Sequence, residues 1–465
     1  MTLIKSISGI RGTIGGKEGD GLTPIDIVKF AAAYGKWIKT KYDHPKVVIG
    51  RDARVSGEMV SNIVSYTLVG MGIDVLDLGL STTPTVEIAV TEESANGGII
   101  FTASHNPGHW NALKLLNEAG EFVSVEDSEL ILKYAEEQDF EFEMVNHLGE
   151  IKEDHTYIDK HIKMILDLPL VDVKAIKSKN FKIAIDCVNS TGGIAVPKLL
   201  KALGVAEVLE LHCEPNGKFP HNPEPLTENI TEICHKIETG SFDLGIVVDP
   251  DVDRLVFVCE DGSPFGEEYT LVAVSDYLLK NKVGNTVSNM SSTKALKDVT
   301  LKAGGEYFES AVGEVNVVKV MKEQNAVIGG EGNGGIIYPD LHYGRDALVG
   351  IALFLSHLAK FKGTAKMLKM KYPSYTISKN KIELTRDINV DDILVKIQEK
   401  YKKQPISTLD GVKINFDNEW VHLRKSNTEP IIRIYAEADS PSKADSFANK
   451  IISDIKEIIS FKAKE

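Results

Sequence analysis

Short apolar runs alternate with helical segments over the first 370 residues, and this alternation limits the possible folds more than any other feature. Runs such as KVVIG (46–50) and IDVLDLG (73–79) have the length and composition of buried strands. Thr23 followed by Pro24 places an N-cap before the first position of a helix. Alternation of this kind indicates βαβ units around a mostly parallel sheet, in which ligands bind beyond the carboxyl ends of the strands.

The alternation recurs and then changes, which indicates four domains. In the last segment, strands follow one another across short turns, so we predict an antiparallel sheet with helices on one face, an α+β domain. The three preceding segments are predicted to be related α/β domains with mixed, mostly parallel sheets. The predicted boundaries are 1–155, 156–257, 258–370 and 371–465. The apolar run 255–260 is assigned to the third domain, and 148–165 is predicted to be a helix that crosses into the second.

Composition excludes several classes of protein. The chain has 465 residues, of which 43% are hydrophobic and 26% charged, as is ordinary for a globular protein. No run of 18 apolar residues indicates a membrane span, and a formal net charge of −14 argues against broad nucleic-acid binding. Four scattered cysteines without C-x-x-C spacing predict reduced thiols. The first residues lack the apolar region of a signal peptide, so we expect a cytoplasmic protein.

The apolar run GGIIF (97–101) leads into Thr-Ala-Ser-His-Asn-Pro, which places Ser104 in a tight loop after a strand. A serine hydroxyl is a weak nucleophile unless a base, a metal or a fixed charge activates it. His105 follows Ser104 directly. Asn and Pro are also common turn formers, so an ordinary turn remains the alternative for this stretch alone.

Three carboxylates alternate at the end of the apolar strand 243–249: Asp249, Asp251 and Asp253. Carboxylates this close raise one another's pKa unless a cation offsets their charge. Hard oxygen ligands at this density suit Mg²⁺, so we predict a magnesium site, with a solvated acidic turn as the alternative. The adjacent Arg254 is a candidate partner for a phosphate or carboxylate.

The stretch GGEGNGG (329–335) is too rich in glycine for a packing element, and glycine lets the backbone approach a ligand closely. It would present Glu331 and Asn333, which suits sugar hydroxyls or an amine; a flexible loop is the alternative. Lys114 lies ten residues after Ser104 in the sequence. It is a candidate general acid or base, although a lysine on a surface strand is the commoner case.

The stretch RKSNTEP (424–430) lies between two predicted strands of the last domain. It offers a guanidinium, two hydroxyls and consecutive backbone N–H groups, a combination that suits a phosphate dianion. The candidate residues are Arg424, Ser426, Asn427 and Thr428. An ordinary turn is the alternative. Arg433 could face the same ligand or be a surface charge.

Together these motifs resemble the α-D-phosphohexomutase family. The matching stretches are TASHNP (102–107), DPDVDR (249–254), GGEGNGG (329–335) and RKSNTEP (424–430), in the family's order and one per predicted domain. The resemblance implies four domains around a central cleft. It also implies that Ser104 is a phosphoserine which transfers phosphate to a sugar and takes it back, and that Ser104 and the three aspartates hold one Mg²⁺.

The resemblance further implies roles for the remaining candidates. The loop 424–428 would hold the phosphate that is not reacting, and Glu331 and Asn333 would hold the sugar ring. Arg11 and Lys114 match positions near the active centre. A bisphosphorylated sugar is the implied intermediate, with a hexose 1,6-bisphosphate as activator. We expect a sugar phosphate as the partner, neither nucleic acid nor membrane, and a monomer or homodimer.

Two departures from the common family pattern concern the substrate. Asn333-Gly334-Gly335 stands where many members have Ser-Gly-His, and Asn111-Ala112 replaces the usual Asn-Gly. GGEGNGG resembles a branch that contains phosphoglucosamine mutases, so we expect interconversion of glucosamine 6-phosphate and glucosamine 1-phosphate. A phosphoglucomutase/phosphomannomutase of broad specificity is the alternative. A phosphatase with Asp249 as nucleophile and a non-catalytic sugar-phosphate sensor are more distant alternatives.

Overall fold

A computed structural model describes residues 2–6, 9–384, 388–425 and 431–462, with side chains as far as 459. It contains four sheets, each flanked by helices, and confirms three α/β domains followed by an α+β domain. Ser426, Asn427 and Thr428 lie outside the described residues. No helix within the described ranges has both the length and the apolar character needed to cross a membrane.

The first sheet has seven strands in the order β1-β2-β6-β5-β3-β4-β7. Its strands are β1 (Ile4–Ser6), β2 (Gly9–Thr13), β3 (Lys46–Arg51), β4 (Asp74–Leu80), β5 (Gly97–Phe101), β6 (Trp110–Leu116) and β7 (Ile151–Glu153). Its helices are α1 (Pro24–Lys39), α2 (Gly57–Gly70), α3 (Thr83–Glu92) and α4 (Val125–Glu137). Strands β5, β3, β4 and β7 are parallel, whereas β1, β2 and β6 run antiparallel to their neighbours.

Local signals account for the start of α1. Thr23 accepts a hydrogen bond from the backbone of Asp26, and Asp26 accepts one from the backbone of Thr23, which forms a capping box. The predicted helix over 148–165 is wrong in its first part. Residues Ile151–Glu153 form β7, which pairs with β4, and the helix begins only at Tyr157. The open edge of β4 offers unpaired backbone groups that a short charged segment can join.

The second sheet has the order β11-β10-β8-β9. Its strands are β8 (Lys182–Asp186), β9 (Glu207–Leu211), β10 (Leu244–Val248) and β11 (Leu255–Cys259), and its helices are α5 (Tyr157–Leu166), α6 (Val173–Lys179), α7 (Gly192–Leu203) and α8 (Thr231–Thr239). The assignment of 255–260 to the third domain is wrong, because β11 pairs antiparallel with β10. The turn DPDVDR between them closes a hairpin, which keeps both strands in one sheet.

The third sheet has the order β13-β12-β14-β15. Its strands are β12 (Thr286–Asn289), β13 (Tyr307–Ser310), β14 (Ile328–Glu331) and β15 (Gly335–Ile337), and its helices are α9 (Glu267–Asn281), α10 (Ala295–Lys302), α11 (Glu314–Glu323), α12 (Ala347–Lys360) and α13 (Ala365–Lys369). Helix α12 is buried on nearly every side, and Phe354 stacks on Phe257 of β11 with ring centroids 3.8 Å apart. The second and third domains therefore share one hydrophobic core.

The fourth sheet is antiparallel, with the order β16-β20-β19-β18-β17. Its strands are β16 (Thr376–Glu383), β17 (Ile406–Ser407), β18 (Val412–Asn415), β19 (Trp420–Lys425) and β20 (Ile431–Ala438), and its helices are α14 (Val390–Lys400) and α15 (Pro441–Lys462). This domain has its own core. It meets the third domain through polar contacts, such as Lys413 Nζ to Glu309 Oε1 at 2.7 Å and Ser291 Oγ to His422 Nδ1 at 2.9 Å.

Candidate active site

Ser104 and the aspartate triad come together although they lie on different sheets. Ser104 follows β5 in the left-handed backbone region (φ 46°), and Asp249 follows β10. The Ser104 hydroxyl donates a hydrogen bond of 2.8 Å to Asp249 Oδ2. Both residues are buried. A serine in this uncommon conformation requires support from its surroundings, as is frequent at functional sites.

Arg54 provides that support, and the sequence did not indicate it. This buried guanidinium donates to four carbonyl oxygens in and directly after the serine loop, residues 102–109: those of Ser104 (2.6 Å), Asn106 (2.7 Å), Pro107 (2.6 Å) and Trp110 (3.0 Å). Its Nε donates to Asp52, which offsets the buried charge. Asp52 in turn accepts from Thr102, whose hydroxyl receives the Ser104 backbone N–H. The RDAR stretch after β3 therefore holds the loop that carries Ser104.

The three aspartates are buried, and each has a different set of partners. Asp249 Oδ1 accepts the backbone N–H groups of Asp253 and Arg254 at 3.2 and 3.1 Å. Asp251 Oδ2 accepts from Lys114 Nζ at 2.7 Å and from the Thr83 hydroxyl at 2.6 Å. The remaining Oδ1 atoms of Asp251 and Asp253 have no hydrogen-bond partner within the described ranges.

These unpartnered atoms fit a cation. One carboxylate oxygen from each aspartate lies within 4.8 Å of the other two, and all three side chains are buried. A buried carboxylate oxygen without a donor is costly, and a hard divalent cation removes that cost by accepting its electron pairs. The donor set, oxygen only, suits a metal ion of that class.

The charge on the triad is unevenly distributed. Burial, followed by the charges of Asp253 and Asp251, raises the pKa of Asp249 well above its usual range. Burial acts in the same direction on Asp251, but the charge of Lys114 and the hydrogen bonds from Lys114 and Thr83 together outweigh it and lower the pKa of Asp251. Without a cation, one of the three carboxylates therefore tends to keep its proton.

Lys114 lies on β6 and is buried rather than exposed on a surface strand. Its Nζ is 2.7 Å from Asp251 Oδ2 and 3.5 Å from Asp253 Oδ2. Burial lowers the pKa of Lys114, but the two aspartates together raise it above the ordinary value, so the side chain is a charged ammonium at neutral pH. Lys114 therefore donates a hydrogen bond to Asp251, which belongs to the same triad as Asp249, the partner of the Ser104 hydroxyl.

His105, unlike Lys114, carries no charge at physiological pH. Burial, and then the charge of Arg254, lower its pKa to about 2, so its ring is neutral at physiological pH. Its Nδ1 lies 3.4 Å from the Ser104 hydroxyl oxygen. A neutral imidazole at this distance contacts the hydroxyl without adding positive charge to the centre.

Arg345 joins the triad to the glycine-rich loop, and the sequence did not indicate it either. Its guanidinium donates to Asp253 at 2.7 Å, to Glu331 at 3.0 Å and to Glu314 at 2.8 Å. The other oxygen of Glu331 accepts from Asn289 and from the Gly313 backbone N–H. Both oxygens of Glu331 therefore have protein partners, although each can accept a further hydrogen bond.

Three arginines from three domains lie around the same region. Burial lowers the pKa of Arg11, and the charges of Arg433 and Arg254 lower it further, which means that these guanidinium groups are near one another. Arg254 donates to Glu224 at 3.1 Å, while its buried Nε has no hydrogen-bond partner in the part of the chain that the structure describes. Like charges gathered against a net charge of −14 favour an anionic ligand.

The remaining predicted site residues lie at the third and fourth domains. Asn333 is half-buried, and its Oδ1 accepts the Gly335 backbone N–H at 3.2 Å. Arg424 forms an ion pair with Asp410 at 2.9 Å, and it is paired across β19 and β20 with Arg433, which is exposed. Asp410 also accepts the Val312 backbone N–H, so Arg424 is held beside the third domain.

Comparisons with known proteins show which family the chain belongs to. Four models described as phosphoglucomutase/phosphomannomutase match the chain: alpha/beta/alpha domain I at 3–142, domain II at 156–262, domain III at 266–375 and the C-terminal domain at 381–453. The chain belongs to the phosphoglucomutase/phosphomannomutase family. This confirms the resemblance to the α-D-phosphohexomutases and makes the chain an isomerase of the phosphohexomutase type.

Relatives of this family match over almost their full length. A phosphoglucomutase/phosphomannomutase of Thermococcus kodakarensis is 35% identical, over 93% of this chain and 95% of that protein. A probable phosphoglucosamine mutase of Methanopyrus kandleri is 32% identical, over 96% of both. A crystal structure of a family protein from Burkholderia thailandensis superposes with a TM-score of 0.83 at 24% identity, covering 97% of this chain and 98% of that one, which shows a shared fold.

Proposed function

We propose that this family member interconverts hexose 6-phosphates and hexose 1-phosphates through a phosphoserine at Ser104 and a bisphosphorylated sugar. The supporting observation is the hydrogen bond from the Ser104 hydroxyl to Asp249 inside a buried triad next to Lys114. In the first half-reaction the P–O bond to Ser104 breaks, and a P–O bond to the free sugar hydroxyl forms. In the second, the serine takes back the other phosphoryl group, so the enzyme ends as it began.

The proposed metal ligands are Asp249, Asp251 and Asp253, with an oxygen of the Ser104 phosphate. A bound Mg²⁺ would neutralise negative charge on the transferring phosphoryl group, which is the main requirement of this chemistry. Arg345 holds Asp253 in place from the third domain. Lys114, kept charged by Asp251 and Asp253, is proposed as the group that donates a proton to the serine oxygen when it leaves.

The positive groups around the centre are proposed to bind the second phosphate. Arg11, Arg254 and Arg433 belong to three different domains, so a phosphate among them would hold the domains together. Arg424, Ser426, Asn427 and Thr428 are proposed to complete this site. The bisphosphorylated intermediate must reorient in the active site, so that its two phosphates exchange places between this site and Ser104. A hexose 1,6-bisphosphate would restore the phosphoserine if the intermediate escaped.

For the substrate we propose glucosamine phosphate, with glucose and mannose phosphates as the alternative. Relatives named probable phosphoglucosamine mutase or phosphoglucosamine/phosphogalactosamine mutase support the first, and the Thermococcus relative supports the second. Glu331 is a buried carboxylate in the proposed sugar loop, and a carboxylate can accept from a protonated amine as well as from hydroxyls. Asn333 is proposed as the second contact to the ring.

A coupled assay with Mg²⁺ and the matching bisphosphate activator tests this proposal. We expect isomerisation of hexose phosphates, with a higher kcat/KM for glucosamine than for glucose or mannose phosphate. Similar values for all three would support the broad alternative. Binding without isomerisation, or net release of inorganic phosphate that survives Ser104→Ala, would contradict the proposed mechanism.

A further inference from the structure

A second group of metal-ligating side chains lies outside the proposed active site. Among the described residues, the aspartate triad and one other group bring three possible ligands together: Asp186, His212 and His221, with one donor atom from each within 4.8 Å of the others. Asp186 ends β8, and His212 directly follows β9, which is paired with β8 in parallel register. His221 reaches the same place from the long loop between β9 and α8.

The donor types and their surroundings favour a transition-metal ion. Asp186 is buried, and its Oδ2 lies 3.1 Å from His221 Nε2. The other ring nitrogen of His221 lies 2.8 Å from the Asn222 carbonyl oxygen, and this contact holds the ring with Nε2 facing Asp186. His212 Nε2 lies 3.2 Å from Glu232, so a carboxylate orients this ring as well. Metal-bound histidines normally have such partners on their second nitrogen.

We infer that Asp186, His212 and His221 form a second metal site, which takes Zn²⁺ or a similar ion. Two imidazoles and one carboxylate are a common ligand set for Zn²⁺ with a fourth position left for water. Bonds of about 2.0–2.2 Å place tetrahedral donors roughly 3.4 Å apart. Both histidines are partly exposed, at 21% and 19%, so small side-chain rotations close the difference from the observed spacing.

The site lies at the base of a loop that reaches the serine loop. This loop comprises residues 213–226. The Arg54 guanidinium lies over the Phe219 ring, 5.1 Å from the ring centroid. Glu224 of the same loop forms an ion pair with Arg254. Gly217 (φ 70°) passes so close to the Ala53 carbonyl that a side chain would overlap it. A metal bound at His221 would therefore fix the loop that braces Arg54, the residue that holds the carbonyl groups around Ser104.

Titration of the full-length protein with Co²⁺ in the presence of excess Mg²⁺ tests the site. The Mg²⁺ is added to occupy the oxygen-only aspartate triad. Binding of Co²⁺ to imidazole is then followed by its absorption of visible light. We expect one Co²⁺ per chain, displaced by Zn²⁺. The affinity for Co²⁺ should fall by at least about 100-fold in His212→Gln and His221→Gln, because mutation of residues that only contact a metal ligand already lowers metal affinity about 10–100-fold. His235→Gln, an exposed histidine on α8, should bind as the unaltered protein does.

Chemical modification of histidines in the unaltered protein is a second test, which does not depend on whether the variants fold. Zn²⁺ should shield His212 and His221 from diethyl pyrocarbonate, while His235 in the same sample remains modified. Equal modification of all three with and without Zn²⁺ would overturn the inference. So would Co²⁺ binding that disappears in Asp251→Asn but persists in His221→Gln, because the ion would then lie in the aspartate triad.

Discussion

The Ser104 hydroxyl lies 2.8 Å from Asp249 Oδ2, although 145 positions separate the two residues in the chain. One residue follows a strand of the first sheet, and the other follows a strand of the second. Lys114 of the first domain also reaches Asp251 of the second. The proposed phosphoserine and the proposed metal ligands therefore depend on the docking of two domains.

Replacing Ser104 with alanine tests the proposed nucleophile. We expect Ser104→Ala to carry no phosphate after incubation with hexose 1,6-bisphosphate, and isomerisation to fall by at least about 10³-fold, because loss of a nucleophile removes a whole step. Intact-mass spectra and the coupled assay measure the two effects. Ser178→Ala, on the exposed end of α6, is the matched control. A phosphorylated Ser104→Ala protein would place the nucleophile elsewhere.

Metal addition should stabilise the fold through the aspartate triad. An ion that binds only the folded state adds about 2.7 kcal/mol at 100 times its Kd. We expect Mg²⁺ to raise the melting temperature of the unaltered protein, and Asp251→Asn to abolish this rise, because it removes one of the unpartnered buried oxygens.

Differential scanning calorimetry with EDTA or with Mg²⁺ measures this effect. Asp417→Asn, in an exposed turn of the fourth domain, should keep the full response to Mg²⁺. An Asp251→Asn protein that Mg²⁺ stabilises as strongly as the unaltered protein would argue against the triad as the metal site.

Substitution of Arg54 should lower both stability and activity, although Arg54 lies outside the sequence motifs. Arg54→Lys keeps the charge beside Asp52 but cannot reach four carbonyl groups at once. We expect a loss of about 2–4 kcal/mol in stability, because buried acceptors lose their donors, together with a lower kcat. Urea unfolding and the coupled assay measure both. Arg51→Lys, which alters a half-buried neighbour, should lose under about 1 kcal/mol.

Glu268 should make stability fall as the pH rises. Burial raises the pKa of this half-buried carboxyl to about 8. In the unfolded chain the same carboxyl releases its proton near pH 4.3. Between about pH 4.3 and 8 the folded state therefore binds one more proton than the unfolded state, and the free energy of unfolding falls as the pH rises. Glu268→Gln cannot titrate, and its backbone partner Thr293 keeps an oxygen acceptor.

We therefore expect Glu268→Gln to gain about 1–2 kcal/mol over the unaltered protein between pH 5 and pH 8, a value reduced for partial solvent exposure. Urea unfolding at the two pH values measures the difference. Ser178→Ala, an exposed substitution that removes no titrating group, is the control and should keep the pH slope of the unaltered protein. Parallel pH profiles for Glu268→Gln and the unaltered protein would mean that Glu268 is ionised in the folded state.

Short-range signals in the chain were sufficient to predict the fold class and to place Ser104 and the three aspartates at strand ends. Strand composition, N-caps such as Thr23 and turn residues act within a few positions, so they can be recognised without the fold. The same signals were insufficient to predict β7 and to assign the predicted strand over 255–260, which is β11, to the correct sheet. Both strands join an edge according to which neighbour offers unpaired backbone groups, and that depends on how the sheets assemble.

Long-range packing determined the residues that the sequence did not reveal. Arg54 and Arg345 stand in unremarkable polar stretches, yet each is buried beside groups from distant parts of the chain. A buried charge is stable only where its partners surround it, and those partners come from other strands or other domains. Residue types and local spacing therefore predict which groups can do the chemistry, whereas the contacts that hold them in place arise only when the domains pack together.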